Sequence, residues 1–177
     1  MQIVLRAARF ASVKHVSQKR KGVAAEPYLN HLIEVAELIS MALSEVDANL
    51  IAAAFLHDTI EDTATSRQEL IEAFGEDITG LVCEVTDDKS LPKAERKRLQ
   101  IEHAPHLSDR AQIIKIADKI SNLRAILLTP PHDWDFARKQ EYLDWAKLVV
   151  NACTVTNPFL RSEFERAFEQ AREKLSE

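Results

Sequence analysis

Apolar residues recur along this chain three and four positions apart, and few runs alternate with period two. That pattern predicts helices joined by short loops rather than a sheet. A first helix over about 2–15 puts Val4, Leu5, Ala8 and Ala11 on helical spacing. A second begins near Pro27, a residue favoured in a first turn, and carries His31, Val35, Leu38 and Ile39. Asp47 is an N-cap for a third, whose apolar run over 51–56 continues into a polar end at His57-Asp58-Thr59-Ile60-Glu61-Asp62. Ser66 with Glu69 reads as a capping box and Gly75 as the stop of that helix. A short helix bearing Ile78, Leu81, Val82 and Val85 follows, then a polar turn, then the charged run Lys93-Ala94-Glu95-Arg96-Lys97-Arg98, expected to face solvent. Ser108 caps a long helix with Ile113, Ile116, Ala117, Ile120, Leu123 and Leu127 on its buried face. Thr129-Pro130-Pro131 breaks it, another helix covers about 134–153, and Asn157-Pro158 opens a last one ending near Leu175. The expected class is all-α, a compact multi-helix fold.

Composition adds bounds to this pattern. With 177 residues, 46% of them hydrophobic, one domain over 1–177 has enough apolar material for a sizeable core. No apolar stretch approaches the roughly 20 residues that span a bilayer. A formal charge of −5 argues against nucleic acid or an anionic membrane surface as partner, so any polyanion must be met locally. Cys83 and Cys153 have neither paired nor metal-ligand spacing, which reads as two free thiols in a reducing compartment, the cytoplasm. Residues 1–25 lack acidic side chains and carry several basic ones, as a transit peptide does, but their apolar spacing is that of a first core helix.

Candidate chemistry gathers where the apolar run ends. On a continuous helix His57 stands near Glu61 and Asp58 near Asp62. Carboxylates at a helix C-terminus cost about 0.3–1 kcal/mol each unless something positive offsets them. A solvated helix end is the ordinary alternative; a divalent cation is the functional one. His31 is on another helix and is a ligand only if partners meet it. Asp118 lies beside the apolar seam of the long helix, with Lys115 and Asn122 on the same side, and is either a salt-bridge partner of Lys115 or Lys119 or a ligand. Together His31, His57, Asp58 and Asp118 offer two imidazoles and two carboxylates. That mixture suits Mn²⁺, and Fe²⁺ or Mg²⁺ less comfortably, in an octahedral shell with room for water and substrate oxygen; zinc fits less well. The basic loop Ser17-Gln18-Lys19-Arg20-Lys21-Gly22 is a solvated turn or an anion site in an otherwise acidic protein.

The pattern of His31, His57-Asp58 and Asp118 resembles that of the HD-domain metal phosphohydrolases. Arg20-Lys21, Pro27-Tyr28-Leu29-Asn30-His31, His57-Asp58-Thr59-Ile60-Glu61-Asp62, Val85-Thr86-Asp87-Asp88-Lys89 and Lys115-Ile116-Ala117-Asp118-Lys119-Ile120-Ser121-Asn122-Leu123 are similar to the hydrolase domain of the RelA/SpoT proteins. In length and C-terminal part the chain is most like the free-standing small alarmone hydrolases, the Mesh1-like group. The resemblance implies Mn²⁺-dependent hydrolysis of the 3′-pyrophosphate of guanosine tetra- and pentaphosphate (ppGpp and pppGpp) to GDP or GTP and pyrophosphate. It implies one ion held by His31, His57, Asp58 and Asp118, with Glu61 and Asp62 activating water. Arg20 and Lys21 then meet the base and phosphates, Asn122 and Tyr142 the ribose, and Lys93 and Arg138 further phosphate. Leu32 departs from the proline usual after the first histidine, and Ser121 from a common aromatic. Two other readings stand beside this one: the same site removing phosphate from another nucleotide such as NADPH, and a catalytically silent HD-fold nucleotide sensor. No glycine-rich phosphate loop or second domain suggests a synthetase.

Overall fold

Asp47, Ser66, Ser108, Asp135 and Asn157 each supply a side-chain oxygen to backbone N–H groups in the first turn of a helix. Such caps satisfy donors that the helix cannot, contributing about 1 kcal/mol each. In the computed structural model, which describes residues 1–176, the order is α1 (Gln2–Lys14), α2 (Leu29–Ala42), α3 (Ala48–Leu56), α4 (Thr59–Asp62), α5 (Arg67–Val85), α6 (Lys93–His103), a 3₁₀ turn (Ala104–His106), α7 (Asp109–Leu128), α8 (Phe136–Ala152) and α9 (Pro158–Ser176). Among the described residues the extended pairing is confined to two isolated bridges, Lys19 with Pro27 and Gly22 with Pro131. The fold is all-α, as the periodicity predicts.

The core is organised by α7, which packs against α2, α3, α5, α8 and α9. Ile114, Ile116, Ala117, Ile120 and Leu123 are fully enclosed, while Leu127, expected on that face, is half-buried where the helix emerges. Gln112 is buried as well, its Oε1 accepting the N–H groups of Thr154 and Val155 and so fixing the α8–α9 connection to α7. In α3, Ala52, Ala53 and Ala54 are fully buried, and their small side chains let α1 and α2 approach closely. Ala7 and Ala11 of α1 lie in the same core, which makes α1 a core helix. Among the described residues, no helix is long and apolar enough to cross a membrane. Cys83 is half-buried and Cys153 buried, both free.

Several details differ from the sequence-based expectation. Helix α2 starts at Leu29 with Tyr28 as its N-cap, because Pro27 is engaged in the bridge with Lys19. Ser66 accepts from Glu69 N–H, but the Glu69 carboxylate pairs with Lys14 at 2.7 Å instead of returning to close a capping box. Gly75 does stop the helix that Ser66 caps: at φ 83° its backbone is non-helical and open to glycine, and a second helical stretch bearing Ile78, Leu81, Val82 and Val85 follows across the kink, the two together forming α5. The charged run in α6 faces solvent only in part: Arg98 pairs with Glu95 and Glu102 outside, whereas Arg96 turns toward Glu61.

The largest correction concerns the helix expected to run through His57. It stops at Leu56, and a turn at His57 and Asp58 leads into the single turn α4. Side chains explain the break. His57 Nδ1 bonds Ala54 O at 2.8 Å and Thr59 Oγ1 donates to Leu56 O at 2.6 Å, so carbonyls that would continue the helix are taken locally.

Candidate active site

Across that turn the Asp62 N–H still bonds Asp58 O at 2.8 Å, and His57 is aimed at His31 from α2 and Asp118 from α7. His57 Nε2 lies 2.9 Å from Asp58 Oδ2 and 3.9 Å from Asp118 Oδ1; His31 Nε2 lies 3.3 Å from Asp118 Oδ1 and 3.6 Å from Asp58 Oδ2. One donor atom each from His31, His57 and Asp118 falls within 4.8 Å of the others. Both imidazoles spend Nδ1 elsewhere, on Ser121 Oγ at 2.8 Å and on Ala54 O, while both buried Nε2 atoms have no hydrogen-bond partner. Buried polar atoms are nearly always satisfied. Two orphans converging on two carboxylates fit a cation, and the donor set matches a divalent ion of intermediate hardness.

Electrostatics supports the same assignment. Burial alone would lower His57, but Asp58 and Asp118 overcome it and raise its pKa to about 9. Burial would raise Asp118; Lys119 and the two histidines outweigh it and hold that carboxyl far below its usual range. Asp118 is thus the salt-bridge partner of Lys119 and also faces the histidines. Its Oδ2 accepts from the buried Lys119 at 2.7 Å, while its Oδ1 accepts from Asn122 at 2.6 Å and faces the histidines. Lys115 does not share in this: it is buried, donates to Val85 O at 3.5 Å, and has its pKa lowered by burial and by Lys119.

Glu61 and Asp62 occupy α4 at the edge of this group. Glu61 Oε2 accepts the Asp87 N–H at 3.2 Å, and Lys89 and Arg96 stand 3.8 and 3.7 Å from its other oxygen. Burial raises the Glu61 pKa. Asp62 accepts from Gln18 at 2.9 Å and from Lys89.

A cleft of about 640 Å³ opens beside the pair, and Arg20, Lys21, Glu61, Asp62, Lys93, Asn122, Arg138 and Tyr142 all line it. The four His and Asp side chains do not line it themselves. They connect to its wall through Tyr28, whose hydroxyl donates to Asp58 Oδ2 at 2.6 Å, and through Asn122. A side cavity of about 350 Å³ shares Lys93, Lys97, Trp134, Arg138 and Tyr142 with the cleft and adds Asp135, Ala137 and Glu141. Arg138 lies over the Trp134 ring at 4.6 Å and Lys93 at 6.0 Å. Burial pushes the Tyr142 hydroxyl up to about 12, so it stays a donor at neutral pH.

Several lining residues were given no site role by the sequence: Arg96, Lys97 and both tryptophans, Trp134 and Trp145, while Gln18 and Lys89 lay in segments it had picked out without a role of their own. The tryptophans carried one signal, being the chain's only two and lying near basic residues. Gln18 lay in the basic loop, but nothing signalled its pairing with Asp62, 44 positions away.

Residues 7–151 match the family model described as the HD domain, and the chain belongs to the HD-domain family. Within that family it is similar to the guanosine-3′,5′-bis(diphosphate) 3′-pyrophosphohydrolase MESH1 of Xenopus tropicalis, at 46% identity over 94% of this chain and 93% of that protein. The Homo sapiens MESH1 is 46% identical over the same shares. A solved structure of a metazoan ortholog of SpoT, described as hydrolysing ppGpp with a role in starvation responses, superposes with TM-score 0.91, at 42% identity over 96% of both chains.

Proposed function

We propose that this chain is a divalent-metal-dependent hydrolase that removes the 3′-pyrophosphate of guanosine-3′,5′-bis(diphosphate), giving GDP and pyrophosphate. The observation that carries this reading is the convergence of two unpartnered buried imidazole nitrogens with two carboxylates beside a cation-lined cleft. The names of relatives matched along almost their whole length support it.

In this reading His31, His57, Asp58 and Asp118 hold one ion, Mn²⁺ being the best match to the donors. When bound, such an ion polarises a phosphoryl oxygen and lowers the pKa of water. Glu61 and Asp62 orient the attacking water, and Glu61, its pKa raised by burial, accepts the proton more readily than an ordinary surface carboxylate. A bond forms from the water oxygen to phosphorus as the bond from phosphorus to the 3′-oxygen breaks. Arg20, Lys21, Lys93 and Arg138 meet the phosphates, Asn122 and Tyr142 the ribose, and the flat Arg20 guanidinium can stack on a purine. The chain acts as one domain over 1–177, on a free nucleotide rather than nucleic acid, in the cytoplasm, where the free Cys83 and Cys153 stay reduced.

The test is release of pyrophosphate, as against orthophosphate, from ppGpp and from NADPH in parallel, with Mn²⁺ and with chelator. Mn²⁺-dependent pyrophosphate from ppGpp is expected. Orthophosphate from NADPH alone would replace the substrate while keeping the site, and no turnover of either would make the chain a silent nucleotide binder.

A further inference from the structure

His31 and His57 are held in place by different means. His57 Nδ1 meets a backbone carbonyl, Ala54 O, which only accepts, so Nδ1 carries a hydrogen and the neutral ring, the form that can ligate, has its lone pair on Nε2. No substitution at Ala54 removes that carbonyl. His31 Nδ1 instead meets the hydroxyl of Ser121 at 2.8 Å, and a hydroxyl can donate or accept. What decides its direction lies one residue further out. Ser121 donates to Glu34 Oε2 at 2.6 Å, and a carboxylate can only accept. The one hydroxyl hydrogen is thereby committed to Glu34, an oxygen lone pair is left for His31 Nδ1–H, and His31 Nε2 is left with its lone pair facing Asp118 and Asp58.

Glu34 is itself fixed. Its Oε1 accepts from Arg124 Nη1 at 2.9 Å, and Arg124 Nη2 donates to Glu163 on α9 at 2.5 Å. Ser121 is 1% exposed in the middle of α7, where a serine ordinarily returns its hydroxyl to the carbonyl four residues back. Here the hydroxyl reaches sideways to α2, spanning 87 positions of sequence to Glu34 and 90 to His31.

We infer that Ser121 and Glu34 are positioning residues that set the tautomer and ring orientation of His31, with Arg124 and Glu163 anchoring the pair. Without Glu34 the Ser121 hydroxyl is free to turn and donate to Nδ1, which moves the imidazole hydrogen onto Nε2 and blocks the atom that would ligate. Removing the hydroxyl leaves Nδ1 with no partner in a buried place. The inference rests on the metal-site reading above, in which His31 Nε2 is a ligand. Outer partners of this kind typically contribute about 10- to 100-fold to metal affinity.

The experiment is an equilibrium Mn²⁺ titration of the full chain at fixed pH, reading free Mn²⁺ by electron paramagnetic resonance, with thermal denaturation as the folding control. Ser121→Ala and Glu34→Ala are each expected to raise the Mn²⁺ dissociation constant by about 10- to 100-fold. Ser121→Thr, which keeps a hydroxyl, should recover most of the loss. Because the two residues act in series, the double variant should bind no more weakly than Ser121→Ala alone, whereas two independent packing losses would add. At saturating Mn²⁺, KM for ppGpp should stay at the wild-type value. Glu34 is only half-buried, so its variant keeps the test decisive if Ser121→Ala fails to fold. Wild-type Mn²⁺ affinity in a folded Glu34→Ala, or simple additivity in the double variant, overturns the inference and leaves the metal site standing. Failure of the wild-type chain to bind Mn²⁺ overturns the metal-site reading itself.

Discussion

Arg20 Nη1 donates to Asn122 Oδ1 at 3.1 Å, and Asn122 Nδ2 donates in turn to Asp118 Oδ1 at 2.6 Å. The basic loop is therefore tied to the His and Asp cluster through one amide. Loss of a hydrogen bond from a charged donor costs about 1.5–3 kcal/mol, or roughly 10- to 100-fold. Arg20→Ala is expected to raise KM by about that factor, with a smaller fall in kcat, because phosphate and base contacts exist in ground and transition states alike. Arg20→Lys should recover part of it, since a lysine cannot stack or fork. Lys21, exposed at the cleft mouth, should show a weaker KM effect that fades with added salt. Steady-state kinetics across a salt series decides; wild-type KM in both alanine variants would remove the loop from substrate binding.

Glu61→Gln and Asp62→Asn are expected to keep the bound metal and lose about 10²- to 10⁴-fold in kcat, because an amide cannot take a proton. Metal content and turnover measured on the same preparations separate this from a loss of ligation. Unchanged kcat in both would leave the acidic pair as a solvated helix end.

His57→Ala should lose metal and activity together, as four protein ligands leave little redundancy. Asp118→Asn should do the same and also lower Tm, because Lys119 is buried and would be left without its carboxylate partner. Breaking a buried pair in this way costs about 3–5 kcal/mol. Stoichiometric Mn²⁺ retained by either variant after desalting would contradict the ligand set.

The pH profile follows from Glu61, whose pKa burial raises and Lys89 lowers. A base must be deprotonated to act, so activity should rise through an acid limb placed above the ordinary glutamate value of 4.5. Lys89→Ala removes a neighbouring positive charge, which makes deprotonation harder and moves that limb to higher pH. Measured kcat/KM against pH checks the sign; a limb that moves down, or stays, excludes Glu61 as the titrating base.

Gly22 presses against the loop after α7: a Cβ built there would meet Thr129 O at 2.1 Å. Gly22→Ala must push apart two cleft walls, so Tm should fall and KM should rise more than kcat falls. An alanine variant with wild-type KM would mean the two loops separate without reshaping the cleft.

Much of this was legible in the chain because its determinants are local. Asp47, Ser66, Ser108 and Asn157 cap within three residues of themselves, and apolar spacing names Ile116, Ile120 and Leu123 as core whatever they pack against. His57-Asp58 and Asp118 were conspicuous as polar groups on apolar helices, where only a partner or an ion makes them tolerable.

What the chain could not state is of two kinds, a helix end set by side chains competing for nearby carbonyls and anything held in place by a distant partner. The end of α3 at Leu56 is set by short-range competition for carbonyls, which periodicity does not register. Gln18 reaches Asp62, Arg96 reaches Glu61, and Ser121 joins His31 to Glu34 only because α2, α4, α6 and α7 pack as they do. The sequence by itself thus determined the helices, the buried faces and the residue types able to hold a cation and activate water. Tertiary structure decided that both imidazoles meet Asp118 and that His31 is held by Ser121, since α2, the turn after α3 and α7 are brought together from distant parts of the chain, between which it carries no local signal.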